Sequence, residues 1–334
     1  MTIPKVSILC ITYNHARFIR DALDGFVMQK TNFPFEVLIH DDASTDGTAD
    51  IIREYTEKYP DIIKPILQTE NQWSRGVDFI GTFLCPKIRG QYVCLNEGDD
   101  YWTDPYKLQK QVDFMDAHTD YSVCFHPVRV VCDNGTHPDS IFPSKKHRFN
   151  KTTLELSDLL KHNFIQTNSV MYRWRHDCVS LRPIGILPGD WYLHLLHAQV
   201  GKIGFISDIM SVYRRNDGGI WTGAYETDKW FRKCTMPVLN FYKNAQKQFS
   251  HDFGTAMADV ASGGICAHLR AGDFQSVVDI YEKHPDVWTA ATAQLNNKNY
   301  SGVYKKYRRY KRLFNISVYS LLFVLLLWLI WGVL

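Results

Sequence analysis

The feature that most narrows the fold of this chain is an alternation repeated over its first hundred residues. Val6–Thr12 (VSILCIT) is an almost unbroken apolar run, the pattern of a strand covered on both faces in a parallel sheet. Phe18, Ile19, Ala22, Leu23, Phe26 and Val27 follow at helical spacing. Phe35–His40, Ile62–Gln68 and Gln91–Asn96 read as three more strands. The helices predicted between them carry Ile51, Ile52 and Tyr55 on one face, and then span Phe79–Ile88. This β-α-β-α-β-α-β order predicts an α/β fold with a mostly parallel, Rossmann-like sheet flanked by helices. Ligands of such sheets gather beyond the carboxyl ends of the strands. Both acidic clusters, Asp41-Asp42 with Asp46 and Glu97-Gly98-Asp99-Asp100, follow directly on predicted strands.

The pattern loosens further on. Asp104-Pro105 reads as a helix cap and first helical residue, and Leu108, Val112 and Met115 supply that helix's apolar face. A strand over Ser122–Val131, a loop over Asp133–Asn150, a short helix at Leu154–Lys161 and a strand at Thr167–Tyr172 come next. Pro188-Gly189-Asp190 opens a helix through about Gln199, and strand-like pieces follow at Lys202–Ile206 and Ile209–Tyr213. From Thr227 onward the pattern is helical, and Ala256–Pro285 fits a helical hairpin.

The net charge of +3 is unevenly spread. Lys305, Lys306, Arg308, Arg309, Lys311 and Arg312 form one basic run, and without them 32 basic residues face 35 acidic ones. A body of that sign is a poor nucleic-acid binder. Ile316–Leu334 carries no charge and as a helix would span roughly 28 Å, close to a bilayer's hydrocarbon thickness. With the basic run on its upstream flank, it predicts a single-pass C-terminal membrane anchor and a cytoplasmic catalytic body. No signal-peptide core separates Met1 from the first strand. The expected organisation is a catalytic domain over 1–222, a helical region over 223–315 and a transmembrane helix over 316–334. The eight cysteines lie far apart, without zinc-site spacing, and read as reduced buried thiols.

Three acidic groupings can carry chemistry: Asp41-Asp42, Glu97 with Asp99-Asp100, and Asp190. A turn crowded with carboxylates repels itself unless a cation or hydrogen-bond donors offset the charge, and all-oxygen ligands suit Mg²⁺ or Mn²⁺. The same residue types also serve as plain turn formers and helix caps. Neither a G-x-G-x-x-G turn after the first strand, where ITYNHA stands, nor a GK[ST] loop is present, which excludes nicotinamide dehydrogenases and P-loop NTPases.

Four blocks in order, VSILCITYNHARFI, HDDASTDGT, LNEGDDYWTDPYKLQKQVDFM and PGDWYLHLLHAQVGKIGFISDIMSVYRRNDGGIW, make residues 4–222 resemble the family 2 glycosyltransferases of the GT-A fold. That resemblance implies an inverting, metal-dependent transferase acting on a nucleotide-sugar donor, with UDP the commonest nucleotide. It assigns Thr12, Tyr13, Asn14, Asp41, Asp42, Asn71 and Arg75 to the nucleotide pocket, and Asp99 and Asp100 to a Mn²⁺ or Mg²⁺ ion. Glu97 and Asp100 would also border the donor, Asp190 would be the catalytic base, and Arg214 and Trp221 would belong to a segment that closes over the donor. Glu97 stands where the family more often has Asp, and Asn216 where it often has His. Combined with the predicted anchor, the resemblance implies a lipid-linked saccharide acceptor in cell-surface glycan assembly. The alternative is a catalytically inactive binding or scaffold protein at the membrane.

Overall fold

The computed structural model describes residues 3–133, 135, 138–144, 153–176, 181–216 and 227–297. The chain divides into two compact units, Met1–Gly219 and Ile220–Leu334. In the first, β1 (Val6–Thr12), α1 (Ile19–Val27), β2 (Phe35–Asp41), α2 (Thr48–Lys58), β3 (Ile63–Leu67) and β4 (Tyr92–Glu97) form the alternating half. Strand β1 pairs in parallel with both β2 and β4, and β2 with β3. The register sets Thr12 beside Asp41 and Ile11 beside Glu97, so both acidic turns leave the same edge. Ile8, Cys10, Val37, Ile39 and Cys94 are fully buried in one core with Ile19, Leu23 and Phe26 of α1. That two-sided burial is what the continuous apolar runs require.

After β5 (Tyr101–Trp102) and α3 (Lys107–Ala117), the expected strand Ser122–Val131 is two strands, β6 (Tyr121–Phe125) and β7 (Val128–Cys132). The break falls at His126-Pro127, where proline has no N–H to give a ladder. The remaining elements are β8 (Ser140–Phe142), β9 (Thr153–Leu154), α4 (Leu156–Lys161), β10 (Met171–Arg173), α5 (Gly189–Ala198), β11 (Lys202–Phe205) and β12 (Ser211–Arg215). The large sheet runs β3-β2-β1-β4-β10-β6-β11-β9 and a small one runs β5-β12-β7-β8. The large sheet is mixed: β10 lies antiparallel between β4 and β6, and β9 antiparallel to β11.

Three local expectations differ. Phe79–Ile88 is a π turn at Ile80–Leu84 followed by a 3₁₀ turn at Cys85–Lys87, because Pro86 cannot extend an α-helix. Thr167–Ser169 is a 3₁₀ turn that precedes β10. Asp104 does not cap α3; its carboxylate accepts the Tyr106 N–H at 2.8 Å and pairs with Lys110, and the helix begins at Lys107.

The second unit contains α6 (Asp228–Phe249), α7 (Gly254–Arg270), α8 (Phe274–Lys283) and α9 (Pro285–Asn297). The predicted hairpin is α7–α8, turned by Gly272 at φ +69° and capped by Asp273, which accepts the Ser276 N–H. Gly263 and Gly264 of α7 lie against Phe231 and Thr235 of α6, where a Cβ would meet side-chain atoms at 2.2 and 2.5 Å.

The predicted membrane placement does not survive. No helix among the described residues is long and apolar enough to cross a membrane. The longest, α6, carries Asp228, Lys229, Arg232, Lys233, Lys243 and Lys247 along its length, charges that a bilayer core would not accept. The expected span Ile316–Leu334 and its basic flank lie outside the described residues. The cytoplasmic assignment rested on that anchor and goes with it. All seven described cysteines are free thiols, six of them buried; Cys178 lies outside the described residues.

Candidate active site

The first acidic turn is closed by hydrogen bonds. Asp41 accepts the Ser44 hydroxyl at 2.5 Å and the Ser44 N–H at 3.1 Å. The two oxygens of Asp42 accept backbone N–H groups of Gln72 at 2.7 Å and Trp73 at 3.1 Å. Asn71 donates its amide to the Asp42 carbonyl and accepts the Ser74 N–H, which folds the 71–74 loop back over the strand end. Asn14 holds the left-handed conformation at φ 54°, an easy position for asparagine. It links two loops by donating its N–H to the Ser44 hydroxyl and accepting the Thr45 N–H. Tyr13 is exposed beside it, and Arg75 is an exposed partner of Glu70.

The second turn is only half satisfied. Asp99 and Asp100 are buried. One oxygen of Asp99 accepts the Asn216 amide at 2.6 Å, and one of Asp100 accepts the Arg214 N–H at 2.8 Å. The other oxygen of each, Asp99 Oδ1 and Asp100 Oδ2, has no hydrogen-bond partner, and neither has the hydroxyl of Thr12. Gly98 makes this packing possible, because a Cβ there would lie 2.5 Å from the Thr12 hydroxyl. Burial, reinforced by its Asp99 and Glu97 neighbours, holds the Asp100 carboxyl well above its ordinary range. The Glu97 carboxyl is pushed up to about 8 by burial first, then by the charges of Asp99 and Asp190. Tyr213 and Cys10 are also pushed up, by burial and then by these same carboxylates.

Arg214 is the fixed cation of the site. Its guanidinium lies between the rings of Phe18 and Tyr101, 4.9 and 4.8 Å from their centroids. It donates to the Asp99 carbonyl at 3.1 Å and to Asp21 at 2.6 Å. Asp190, in the first turn of α5, accepts the Thr167 hydroxyl at 2.7 Å, and its charge reaches Glu97. The structure therefore groups Thr12, Glu97, Asp99, Asp100, Asp190 and Arg214 around one strand edge. Asp41, Asp42 and Asn71 build the adjoining loop, and Trp221 lies outside the described residues.

Sequence reasoning missed His15, Asp21, Thr167 and His194. His15 Nε2 lies 3.9 Å from Asp99 Oδ2, and its Nδ1 is buried without a partner. His194 stands one helical turn beyond Asp190, a spacing from which it could have been found.

A divalent cation suits the donor chemistry of this turn. Two buried carboxylate oxygens lack partners, and hard oxygen atoms are what Mg²⁺ and Mn²⁺ take. Among the described residues no group of three or more His, Cys, Asp or Glu side chains is arranged to hold a cation. Two aspartates would leave most of an ion's shell to water and bound ligand, as is usual for Mg²⁺.

Comparison with known proteins agrees with this architecture. The chain is 49% identical over 224 residues to an uncharacterised protein of Mycobacterium tuberculosis, covering 67% of this chain and 62% of that one. It thus spans under two thirds of that relative's length. It is 29% identical over 168 residues to the putative teichuronic acid biosynthesis glycosyltransferase TuaG of Bacillus subtilis, covering 50% and 62% of the two chains. The solved structure of S. aureus TarS with UDP-GlcNAc superposes with a TM-score of 0.51 over 84% of this chain and 92% of that chain. At 18% identity the likeness is one of fold, GT-A-like with a mixed sheet and flanking helices. Residues 7–176, half of the chain, match Glycosyl transferase family 2, and the chain belongs to that family.

Proposed function

We propose that this glycosyltransferase is inverting and metal-dependent, and moves a sugar from a UDP-sugar to a saccharide hydroxyl in cell-surface glycan assembly. The observation that carries the reading is the pair of buried, unpartnered oxygens on Asp99 and Asp100. TarS, bound to UDP-GlcNAc, and TuaG, named for teichuronic acid biosynthesis, support the donor and acceptor classes.

In this reading the nucleotide lies against Thr12, Tyr13, Asn14 and the Asp41 turn, with Asn71 and Arg75 at its border. A Mg²⁺ or Mn²⁺ held by Asp99 and Asp100 would neutralise charge on the departing diphosphate. Arg214, fixed by two rings and Asp21, adds a second positive charge without having to reorganise. Asp190 takes the proton of the acceptor hydroxyl. The acceptor oxygen then bonds to the anomeric carbon from the face opposite the diphosphate, the carbon–diphosphate bond breaks with its electron pair leaving on phosphate oxygen, and the configuration inverts. Before a cation binds, burial first and then the charges of Asp99 and Asp190 hold the Glu97 carboxyl up at about 8, so that it can donate a hydrogen bond.

The test is release of nucleoside diphosphate from a panel of UDP-, GDP- and dTDP-sugars, with and without Mn²⁺, for the full chain and for Asp190→Asn. The reading predicts metal-dependent UDP release that Asp190→Asn lowers by roughly 10²- to 10⁴-fold. Turnover that is insensitive to both metal and Asp190→Asn overturns it. Binding without turnover across the whole panel would instead favour the scaffold alternative.

A further inference from the structure

Behind Asp190 runs a polar chain of Thr167, His194 and Tyr172, of which His194 and Tyr172 are fully buried. The Thr167 hydroxyl donates to Asp190 Oδ2 at 2.7 Å. His194 Nε2 faces that same oxygen from 3.8 Å. On the far side of the ring, the Tyr172 hydroxyl and His194 Nδ1 are 2.5 Å apart. Tyr172 and His194 have no exposed surface, and the His197 ring stacks on Tyr172 at 4.2 Å. The His194 ring is pushed down to about 4 by burial, against the smaller opposing pulls of the Asp190 charge and the Ile165 carbonyl. It is therefore neutral at ordinary pH, with a single N–H to place. If the Tyr172 O–H donates to Nδ1, that hydrogen sits on Nε2 and is directed toward Asp190.

Core filling does not account for this arrangement. His194 Nε2 is buried without a hydrogen-bond partner, and an apolar side chain of similar size would fill the space without that penalty. The unbonded nitrogen lies 3.8 Å from the base, with the Ile165 carbonyl also acting on the ring.

We propose that Thr167, His194 and Tyr172 are positioning residues for Asp190. Thr167 fixes one carboxylate oxygen, and the Tyr172–His194 pair presents an N–H dipole to it, so that the carboxylate keeps a single rotation before the acceptor arrives. This rests on Asp190 being the base, and the variants are chosen to separate the two claims.

His194→Gln keeps an N–H near the position of Nε2, whereas His194→Phe keeps bulk and gains apolarity. Thr167→Ser and Thr167→Val form a matching pair. The UDP-sugar of UDP-GlcNAc, UDP-glucose and UDP-galactose that gives the fastest UDP release serves as probe, and thermal midpoints are read alongside. The expected result is a roughly ten- to hundredfold loss of kcat for His194→Phe and Thr167→Val, at unchanged donor KM, with Gln and Ser recovering most of it. Because Phe should fold at least as stably as Gln in a buried site, a purely structural role predicts the reverse order. Nitrogen-15 NMR of labelled histidines, with His194→Gln giving the assignment, should show His194 protonated on Nε2 and bare on Nδ1. Phe and Val variants with wild-type kcat, or an Nδ1–H ring, overturn the proposal. The base assignment falls separately, only if Asp190→Asn stays active.

Discussion

The two acidic turns at the edge of the large sheet are nearly alike in sequence and opposite in chemistry. Asp41 and Asp42 accept from Ser44, Gln72 and Trp73, so each of their carboxylate oxygens has a donor. Asp99 and Asp100 each keep one buried oxygen with none. The first turn is a structural knot that shapes a loop, and the second stores unmet charge. What separates them is not acidity but the supply of N–H groups: the 71–74 loop doubles back over the first turn, while the second lies under Gly98 against Thr12. Unsatisfied buried carboxylates are expensive to keep, and of the two turns only the second has them.

The largest contrast should appear in turnover. Asp99→Asn is expected to lower metal-dependent UDP release by roughly 10³-fold, in line with losing charge stabilisation of a leaving group. Asp41→Asn should lower it by about tenfold, since one hydrogen bond near the nucleotide is at stake. Equal losses, measured side by side, would break the comparison.

Stability should invert the order. Asp42→Ala removes acceptors for two backbone N–H groups and is expected to destabilise the protein by about 3 kcal/mol in urea unfolding. Asp100→Asn, without added metal, replaces a carboxyl that burial first, then Asp99 and Glu97, already hold above its ordinary range, and should leave stability unchanged or raise it. A large destabilisation by Asp100→Asn would mean that the second turn is as satisfied as the first.

A smaller effect follows from Glu97. Its carboxyl titrates near 8 in the folded chain against an ordinary value of 4.5, so between those pH values the folded state holds the extra proton. The contribution of Glu97 to stability is therefore complete below about 4.5 and is lost as pH rises through about 8. Thermal midpoints of the metal-free protein should carry this falling component from pH 5 to 8, and Glu97→Gln should flatten it. An unchanged slope in the variant would place the coupled charge elsewhere. Smallest of all, Arg75→Ala should shift stability by no more than about 0.5 kcal/mol, because its pair with Glu70 is exposed.

How much of this could be read from the residues differs from place to place. Strands β1, β2 and β4 were legible because two-sided burial leaves an apolar run in the sequence, the edge strand β3 was legible from its apolar residues although Pro65 is exposed, and the strand edge carrying both turns followed from their order. The small sheet was not legible, since Ser122–Val131 looks continuous until Pro127 is given its structural weight. Residue type alone did not tell Asp41 from Asp99, to which only the family resemblance gave different roles, because hydrogen-bond supply comes from loops distant in sequence. The second carboxylate oxygen of Asp190 owes its partner to Thr167, which lies 23 positions away and bears no acidic signature.

The most direct test of the unmet-charge account is a crystal of the full chain soaked with Mn²⁺ and UDP, read by anomalous scattering at the manganese edge. The account predicts one strong peak touching Asp99 Oδ1 and Asp100 Oδ2, with diphosphate oxygens completing the shell. A peak at the Asp41-Asp42 turn, or UDP bound with no metal beside Asp99, would contradict it.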